Sequence, residues 1–136
     1  MDEQDARIAQ VFGTKEVPEV SPETLLKYRQ YLLDRLDRSA VLRGEEDFPW
    51  EEFYVLGPGN KAEYEKMKQT NLSYTDDCQL VGISADEYFE GNDLLAEVKR
   101  LSDGKVFEIG LSWLCTKGKG PTKQLLHDYS CWAVNW

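Results

Sequence analysis

The sequence is poor in the residues that mark several classes of functional site. Its three cysteines, Cys78, Cys115 and Cys131, are far apart and odd in number, whereas a disulfide framework or zinc site requires paired spacing. We interpret them as small apolar residues in a reducing compartment. With one histidine, His127, the chain lacks a His-rich metal centre, and any His-based catalysis would depend on that residue alone. We interpret His127 as a surface imidazole on a helix.

The sequence also lacks targeting and catalytic motifs. No run approaches the roughly 18 apolar residues that a membrane-spanning helix needs. The acidic start, Met1 to Asp5, has no apolar stretch behind it and therefore does not resemble a secretory signal. Dinucleotide-binding, Walker, nucleophile-elbow and H-E-x-x-H motifs are missing too. We therefore expect a cytoplasmic, non-enzymatic protein.

Positive charge is scarce. The 16 lysines and arginines are outnumbered by 25 aspartates and glutamates, which gives a formal net charge of −9. Duplex DNA and anionic membranes bind clustered Lys and Arg, so neither nucleic acid nor a membrane is an expected partner. Cations, a basic protein partner or plain solubility remain as roles for the acidic residues.

What is present indicates one folded domain. A chain of 136 residues forms a single core, and four Trp, seven Tyr and five Phe supply the apolar surface to stabilise it. Residues 1–20 are polar and acidic without a sustained period, and prolines follow at positions 18 and 22. We expect a flexible acidic arm over 1–20 and a single globular domain over 21–136.

Helix signals lie towards both ends of that domain. Ser21-Pro22-Glu23 is typical of a helix start, and leucines and tyrosines recur at helical spacing over roughly 22–38. Asn60 with Glu63 predicts a second, short helix. After Pro121 the apolar residues fit a helix or a strand by period, and the Pro-Thr start favours the helix.

Strand signals lie between these helices. Residues 79–83 indicate a short buried strand, and the second half of residues 45–56 is aromatic and suits a strand. Alternation over 94–99, followed by Ser102-Asp103-Gly104, predicts a β-hairpin with the segment 105–109. The sequence therefore predicts an α+β fold, with a small antiparallel sheet packed by an N-terminal helix and a C-terminal helical segment.

Acidic residues cluster beside the predicted strands. The clusters are Glu45-Glu46-Asp47, Asp76-Asp77, and Asp86-Glu87 followed by Glu90 and Asp93. Calcium binds six to eight oxygen ligands in flexible geometry and needs no nitrogen or sulfur ligand. Carboxylates held close together repel one another unless a cation neutralises them. The pattern admits a calcium site without an EF-hand loop, but acidic runs of this kind are more often solvated surface.

The order of several short segments matches a known family. The segments are Tyr31-Leu32-Leu33, Phe48-Pro49-Trp50, Gln79-Leu80-Val81-Gly82-Ile83, Ser84-Ala85-Asp86-Glu87, Ile109-Gly110-Leu111-Ser112-Trp113-Leu114 and Asp128-Tyr129-Ser130-x-Trp132. Over about residues 28–136 the sequence resembles a family of small acidic prokaryotic calcium-binding proteins built on an SH3-like barrel. The resemblance implies a non-enzymatic cytoplasmic protein that binds Ca²⁺ as a buffer or regulator.

The same resemblance implies a set of calcium ligands. Asp76 and Asp77 precede the central strand, Asp86 and Glu87 follow it, and Glu46 and Asp47 would close the site from a neighbouring loop. The chain departs from the family at residues 116–120, Thr-Lys-Gly-Lys-Gly, where the family tends to be acidic. No ligand is therefore implied in that segment.

Two other functions remain open. The first is an acidic protein–protein interaction module, similar to an immunity protein or to a decoy for a basic partner, with Trp50, Tyr54 and Trp113 as candidate aromatic anchors. The second is a Mg²⁺-dependent hydrolase or nuclease, for which only Asp76-Asp77 offers suitable residues. A calcium protein gathers its carboxylates at one end of the sheet, whereas an interaction module spreads them over an open face.

Overall fold

The computed structural model describes residues 2–55, 57 and 59–136. It shows an α+β fold, which confirms the predicted class, with helices near both ends of the chain and a five-stranded antiparallel sheet between them. The helices are α1 (Glu3–Phe12), α2 (Pro22–Arg35), α3 (Glu52–Val55), α4 (Lys61–Thr70) and α5 (Pro121–Asn135). The strands are β1 (Leu42–Gly44), β2 (Cys78–Phe89), β3 (Asp93–Arg100), β4 (Val106–Gly110) and β5 (Leu114–Thr116). Short 3₁₀ turns span Pro49–Glu51 and Leu111–Trp113.

The sheet is open. Its strands lie in the order β4-β3-β2-β1-β5, so that β4 and β5 are its two edges. Of the two arrangements that the sequence left open, the structure therefore has the small antiparallel sheet and not a closed SH3-like barrel. The predicted hairpin is confirmed as β3 and β4, and Gly104 takes a positive φ of 75° in the connecting turn.

The helices cover one face of the sheet and enclose the core. Helix α2 begins at Ser21, whose hydroxyl and backbone form a capping box with Thr24. Its apolar stripe includes Tyr28, which packs edge-on against Tyr129 and beside Trp132 of α5. Trp132 is fully buried. The C-terminal segment is thus a helix, as predicted, and its aromatic residues form the centre of the core.

The first twenty residues differ from the expected flexible arm. Residues 3–12 form α1, with the Asp2 carboxylate accepting a hydrogen bond from the Asp5 amide. Ile8 of this helix is fully buried in the main core. Arg7 donates two hydrogen bonds to Asp128 of α5, at 2.8 and 3.0 Å. The segment packs against the domain because one apolar stripe and one ion pair together fix it to α5.

The aromatic segment after Pro49 also differs from its prediction. Residues Glu52–Val55 form the short helix α3 where a strand in the second half of residues 45–56 was expected, and Leu56 lies outside the described residues. The preceding 3₁₀ turn carries Glu51, a fully buried carboxylate. It accepts hydrogen bonds from four donors, which are Phe48 N (3.2 Å), Tyr74 N (2.8 Å), Ser73 Oγ (2.7 Å) and Tyr64 Oη (2.5 Å). These bonds stabilise the 3₁₀ turn and connect it to Ser73 and Tyr74 in the loop before β2.

Among the described residues, no helix is both long enough and apolar enough to span a membrane.

Candidate functional site

Asp76 and Asp77, the first pair of predicted calcium ligands, each contact an arginine. The Asp76 carboxylate accepts hydrogen bonds from Ser73 N at 2.9 Å and from Arg100 Nη1 at 3.2 Å. Asp77 forms an ion pair with Arg43 of β1. Both carboxylates therefore already have cationic partners within the chain.

The Arg100 guanidinium explains why Asp76 is needed for the fold. Arg100 is only 4% exposed, and it donates to the carbonyl oxygens of Lys68, Gln69 and Asn71 as well as to Asp76 and Asp103. A buried guanidinium is tolerated only when its donors and its charge are matched in this way. The same guanidinium, together with the Lys105 amide, lowers the pKa of Asp103 to about 2. Asp76 thus belongs to a structural ion cluster at the end of β3.

Asp86 and Glu87, expected to follow the central strand, lie within strand β2. Between Ile83 and Tyr88 the pairing with β3 shifts register, so that residues 84–87 bulge outward. The amides of Asp86 and Glu87 donate to the Ser84 hydroxyl, which stabilises the bulge. Both acidic side chains are exposed.

Glu46 and Asp47 lie on the loop after β1. The exposed Glu46 side chain borders a cavity of about 500 Å³ next to α5, together with Glu45 and Glu90. Asp93 lies at the base of this cavity, where it is 5% exposed and accepts hydrogen bonds from Tyr129 Oη and Ser112 Oγ, both at 2.6 Å. Burial raises the pKa of Asp93, although the bonds from Ser112 and Tyr129 partly offset that shift.

The six predicted ligands thus lie on three different segments of the chain. Among residues 2–55, 57 and 59–136, no three His, Cys, Asp or Glu side chains come together in a way that would hold a metal ion. The carboxylates that line one depression on the sheet are absent from the predicted ligand clusters, apart from Glu87.

Two of those carboxylates belong to Glu97 and Glu108 on the open face of the sheet. The two residues are direct partners across β3 and β4. The hydrogen bond from Arg100 N to Lys105 O (2.8 Å) identifies residues 100 and 105 as a hydrogen-bonded pair. Hydrogen-bonded and non-hydrogen-bonded pairs alternate along an antiparallel ladder. Residues 97 and 108 therefore form a non-hydrogen-bonded pair, in which side chains lie closest. Like charges placed directly opposite in this way destabilise a sheet.

Glu87 of the β2 bulge joins this pair. The three glutamates line a depression of about 450 Å³ together with Val81, Gly82 and Leu95. The nearby arginines Arg29 and Arg38 donate to the carbonyl oxygens of Ile83 and Val81. Within the described part of the chain, none of the three glutamates forms an ion pair, and neither does Lys99 on the same face of β3.

The candidate aromatic anchors are partly used inside the fold. Trp50 donates its indole N–H to the Leu72 carbonyl at 2.8 Å, and Trp113 packs edge-on against the buried Phe48. Tyr54 stacks on Tyr64 with the rings 10° from parallel. Beside them Phe53 is 54% exposed, so this aromatic cluster is accessible mainly through Phe53.

Comparison with known proteins finds no matching family model, no similar curated protein and no similar solved structure.

Proposed function

We propose that this protein is an acidic interaction module that binds a basic segment of a partner protein on the open face of its sheet. The observation that carries the proposal is the set of three glutamates, Glu87, Glu97 and Glu108, around one depression. Glu97 and Glu108 place like charges directly opposite each other across the two strands, and lysine or arginine side chains from a partner would offset those charges.

The surroundings of the depression support a protein partner. Val81 and Val106 on the same side of the sheet are 42% and 52% exposed, so apolar surface lies beside the charged groups. Interfaces combine such apolar contacts with charged residues that steer the approach of the partner. The net charge of −9 adds a long-range attraction for a basic protein.

The test compares two variants that remove the same charge. In E97Q/E108Q the pair on the sheet face is neutralised, and in E16Q/E19Q two exposed glutamates between α1 and α2 are neutralised instead. The probe is a short peptide of alternating lysine and serine, titrated calorimetrically at physiological salt. We expect the affinity of E97Q/E108Q to fall at least tenfold, which corresponds to about 1.4 kcal/mol, and that of E16Q/E19Q to change less than twofold.

Two results would contradict the proposal. Equal losses in both variants would mean that the peptide responds only to net charge. A lower free energy of unfolding for E97Q/E108Q than for wild type would mean that the glutamates stabilise the sheet, whereas mutual repulsion predicts a gain of a few tenths of a kcal/mol.

Calcium binding through Glu46, Asp47, Asp76, Asp77, Asp86 and Glu87 stays a prediction of the sequence. Titration of chelator-stripped protein with Ca²⁺ and then Mg²⁺ tests it directly. The variant D86N/E87Q is better suited to this test than replacement of Asp76, because Asp76 is a partner of the buried Arg100. Saturable calcium binding that D86N/E87Q weakens would support the metal hypothesis, and unchanged affinity would remove both residues from the site.

A further inference from the structure

His127 and Cys131 lie one helical turn apart on the outer side of α5. Residues at positions i and i+4 of a helix point in the same direction. Cys131 Sγ and His127 Nε2 are 3.7 Å apart, which is the separation of a thiol–imidazole hydrogen bond. His127 is exposed and Cys131 is half-buried, so both atoms are within reach of solvent.

The separation of these two atoms matches the span of a tetrahedral metal ion. Zinc binds cysteine sulfur at about 2.3 Å and histidine nitrogen at about 2.0–2.1 Å. At a tetrahedral angle these bond lengths place sulfur and nitrogen about 3.5–3.6 Å apart. The sulfur–nitrogen separation of the pair therefore differs by only about 0.2 Å from that of two ligands on one such ion.

The pair also lies beside carboxylates. His127 and Cys131 border the cavity of about 500 Å³ that Glu45 and Glu46 line. His127 and Glu45 also line an adjoining cavity of about 390 Å³, together with Arg7 and Lys123. The carboxylates lower the electrostatic cost of bringing a divalent cation to the pair, and the two cavities leave space for water in the remaining coordination positions.

We propose that His127 and Cys131 form a binding site for a thiophilic divalent cation of the Zn²⁺ and Cd²⁺ type. His127 Nε2 donates its lone pair to the metal, and Cys131 Sγ binds as the thiolate after its proton passes to solvent. Water completes the coordination. The site differs from the predicted calcium site because a thiolate and an imidazole are poor ligands for a hard cation. It does not depend on the proposed interaction with a basic partner.

The experiment is a Cd²⁺ titration of chelator-stripped protein kept reduced with a phosphine. Binding is followed by the sulfur-to-cadmium charge-transfer absorbance in the near ultraviolet. We expect one equivalent of Cd²⁺ per chain, no charge-transfer band in C131S, and at least tenfold weaker binding in H127Q with the band retained. Zn²⁺ displaces Cd²⁺, and excess Ca²⁺ does not.

Cys115 provides the matched control. This cysteine is half-buried, and burial raises the pKa of its thiol, which disfavours the thiolate that a metal requires. C115S should bind Cd²⁺ as wild type does. A band that survives in C131S, a band that disappears in C115S, or an H127Q affinity within twofold of wild type would overturn the proposal.

Alkylation of the wild-type protein gives an independent measurement that needs no variant. Iodoacetamide is added with and without Zn²⁺, and each cysteine is followed by mass spectrometry. We expect Zn²⁺ to slow alkylation of Cys131 at least fivefold and to leave Cys115 unchanged. Equal rates at Cys131 with and without Zn²⁺ would also overturn the proposal.

Discussion

The buried carboxylate of Glu51 offers a quantitative test of how the segment before β2 is held. Two of its four donors are backbone amides, of Phe48 and Tyr74, which cannot turn away from the site. The other two are the hydroxyls of Ser73 and Tyr64, which can rotate and accept a hydrogen bond instead. Replacement of Glu51 by glutamine and by leucine therefore has different consequences.

Glutamine preserves all four contacts in a neutral form. Its amide oxygen accepts from the two backbone N–H groups, and its amide nitrogen donates to the two hydroxyls. Because hydrogen bonds to a charged group are roughly twice as strong as neutral ones, we expect E51Q to lower the free energy of unfolding by about 1–3 kcal/mol.

Leucine removes the acceptor altogether. The two amides are then left without partners in the interior, at about 1–3 kcal/mol each, and the hydroxyls lose their acceptor as well. We expect E51L to lower the free energy of unfolding by at least about 3 kcal/mol, a large part of the 5–15 kcal/mol typical of a domain.

Urea unfolding followed by tryptophan fluorescence measures both variants. Glu52, the next residue and an exposed one, supplies the control E52Q, which should stay within about 0.5 kcal/mol of wild type. The reasoning would be refuted if E51L were no less stable than E51Q, because the unpaired backbone amides would then carry no cost.

Two further predictions concern the sheet and its ion cluster. The pKa of Asp103 is lowered to about 2 from 3.8, so its contribution to stability is present above pH 4 and lost as the pH falls through about 2. We expect the Tm of D103N to lie below that of wild type at pH 5–7 and to approach it towards pH 2; a constant difference across that range would contradict the assignment. A Cβ at Gly110 would lie 2.5 Å from Asp93 Oδ2 and 2.6 Å from the Phe89 ring, so we expect G110A to destabilise by about 1–3 kcal/mol. A Cβ at Gly82 would meet no such neighbour within 4 Å, and equal unfolding free energies for G82A and G110A would argue against crowding at Gly110.

Much of the fold could be predicted because its signals are local. The Ser21-Pro22 start of α2, the Asn60 cap of α4 and the turn at residues 102–104 each require only a few neighbouring residues. Helix α1 carries comparable local signals within the segment expected to be a flexible arm. Its Asp2 cap, the spacing of Ile8, Val11 and Phe12, and Gly13 with a φ of 66° after its last residue are all typical of a short helix.

The candidate site was harder to predict because its contacts are distant in sequence. Asp77 pairs with Arg43, 34 residues away, and Asp76 with Arg100, 24 residues away. Neither arginine belongs to the acidic pattern, so the sequence gives no sign that the two carboxylates are paired. Glu97 and Glu108 were accessible to sequence reasoning, because the position of the hairpin turn fixes which residues of β3 and β4 face each other.

The docking of α1 also determines how the protein opens. Asp128 is only 4% exposed, and its carboxylate accepts hydrogen bonds from Arg7 of α1. If α1 detached alone, this buried carboxylate would lose its arginine partner. The aromatic contacts of Phe12 with Tyr28 and Trp132 would be lost in the same step. Local opening of this helix therefore carries the cost of leaving a buried carboxylate unpaired as well as the loss of core contacts. In native-state hydrogen exchange, the amides of α1 should accordingly exchange together with those of α5 and more slowly than those of α4, which has no buried residue.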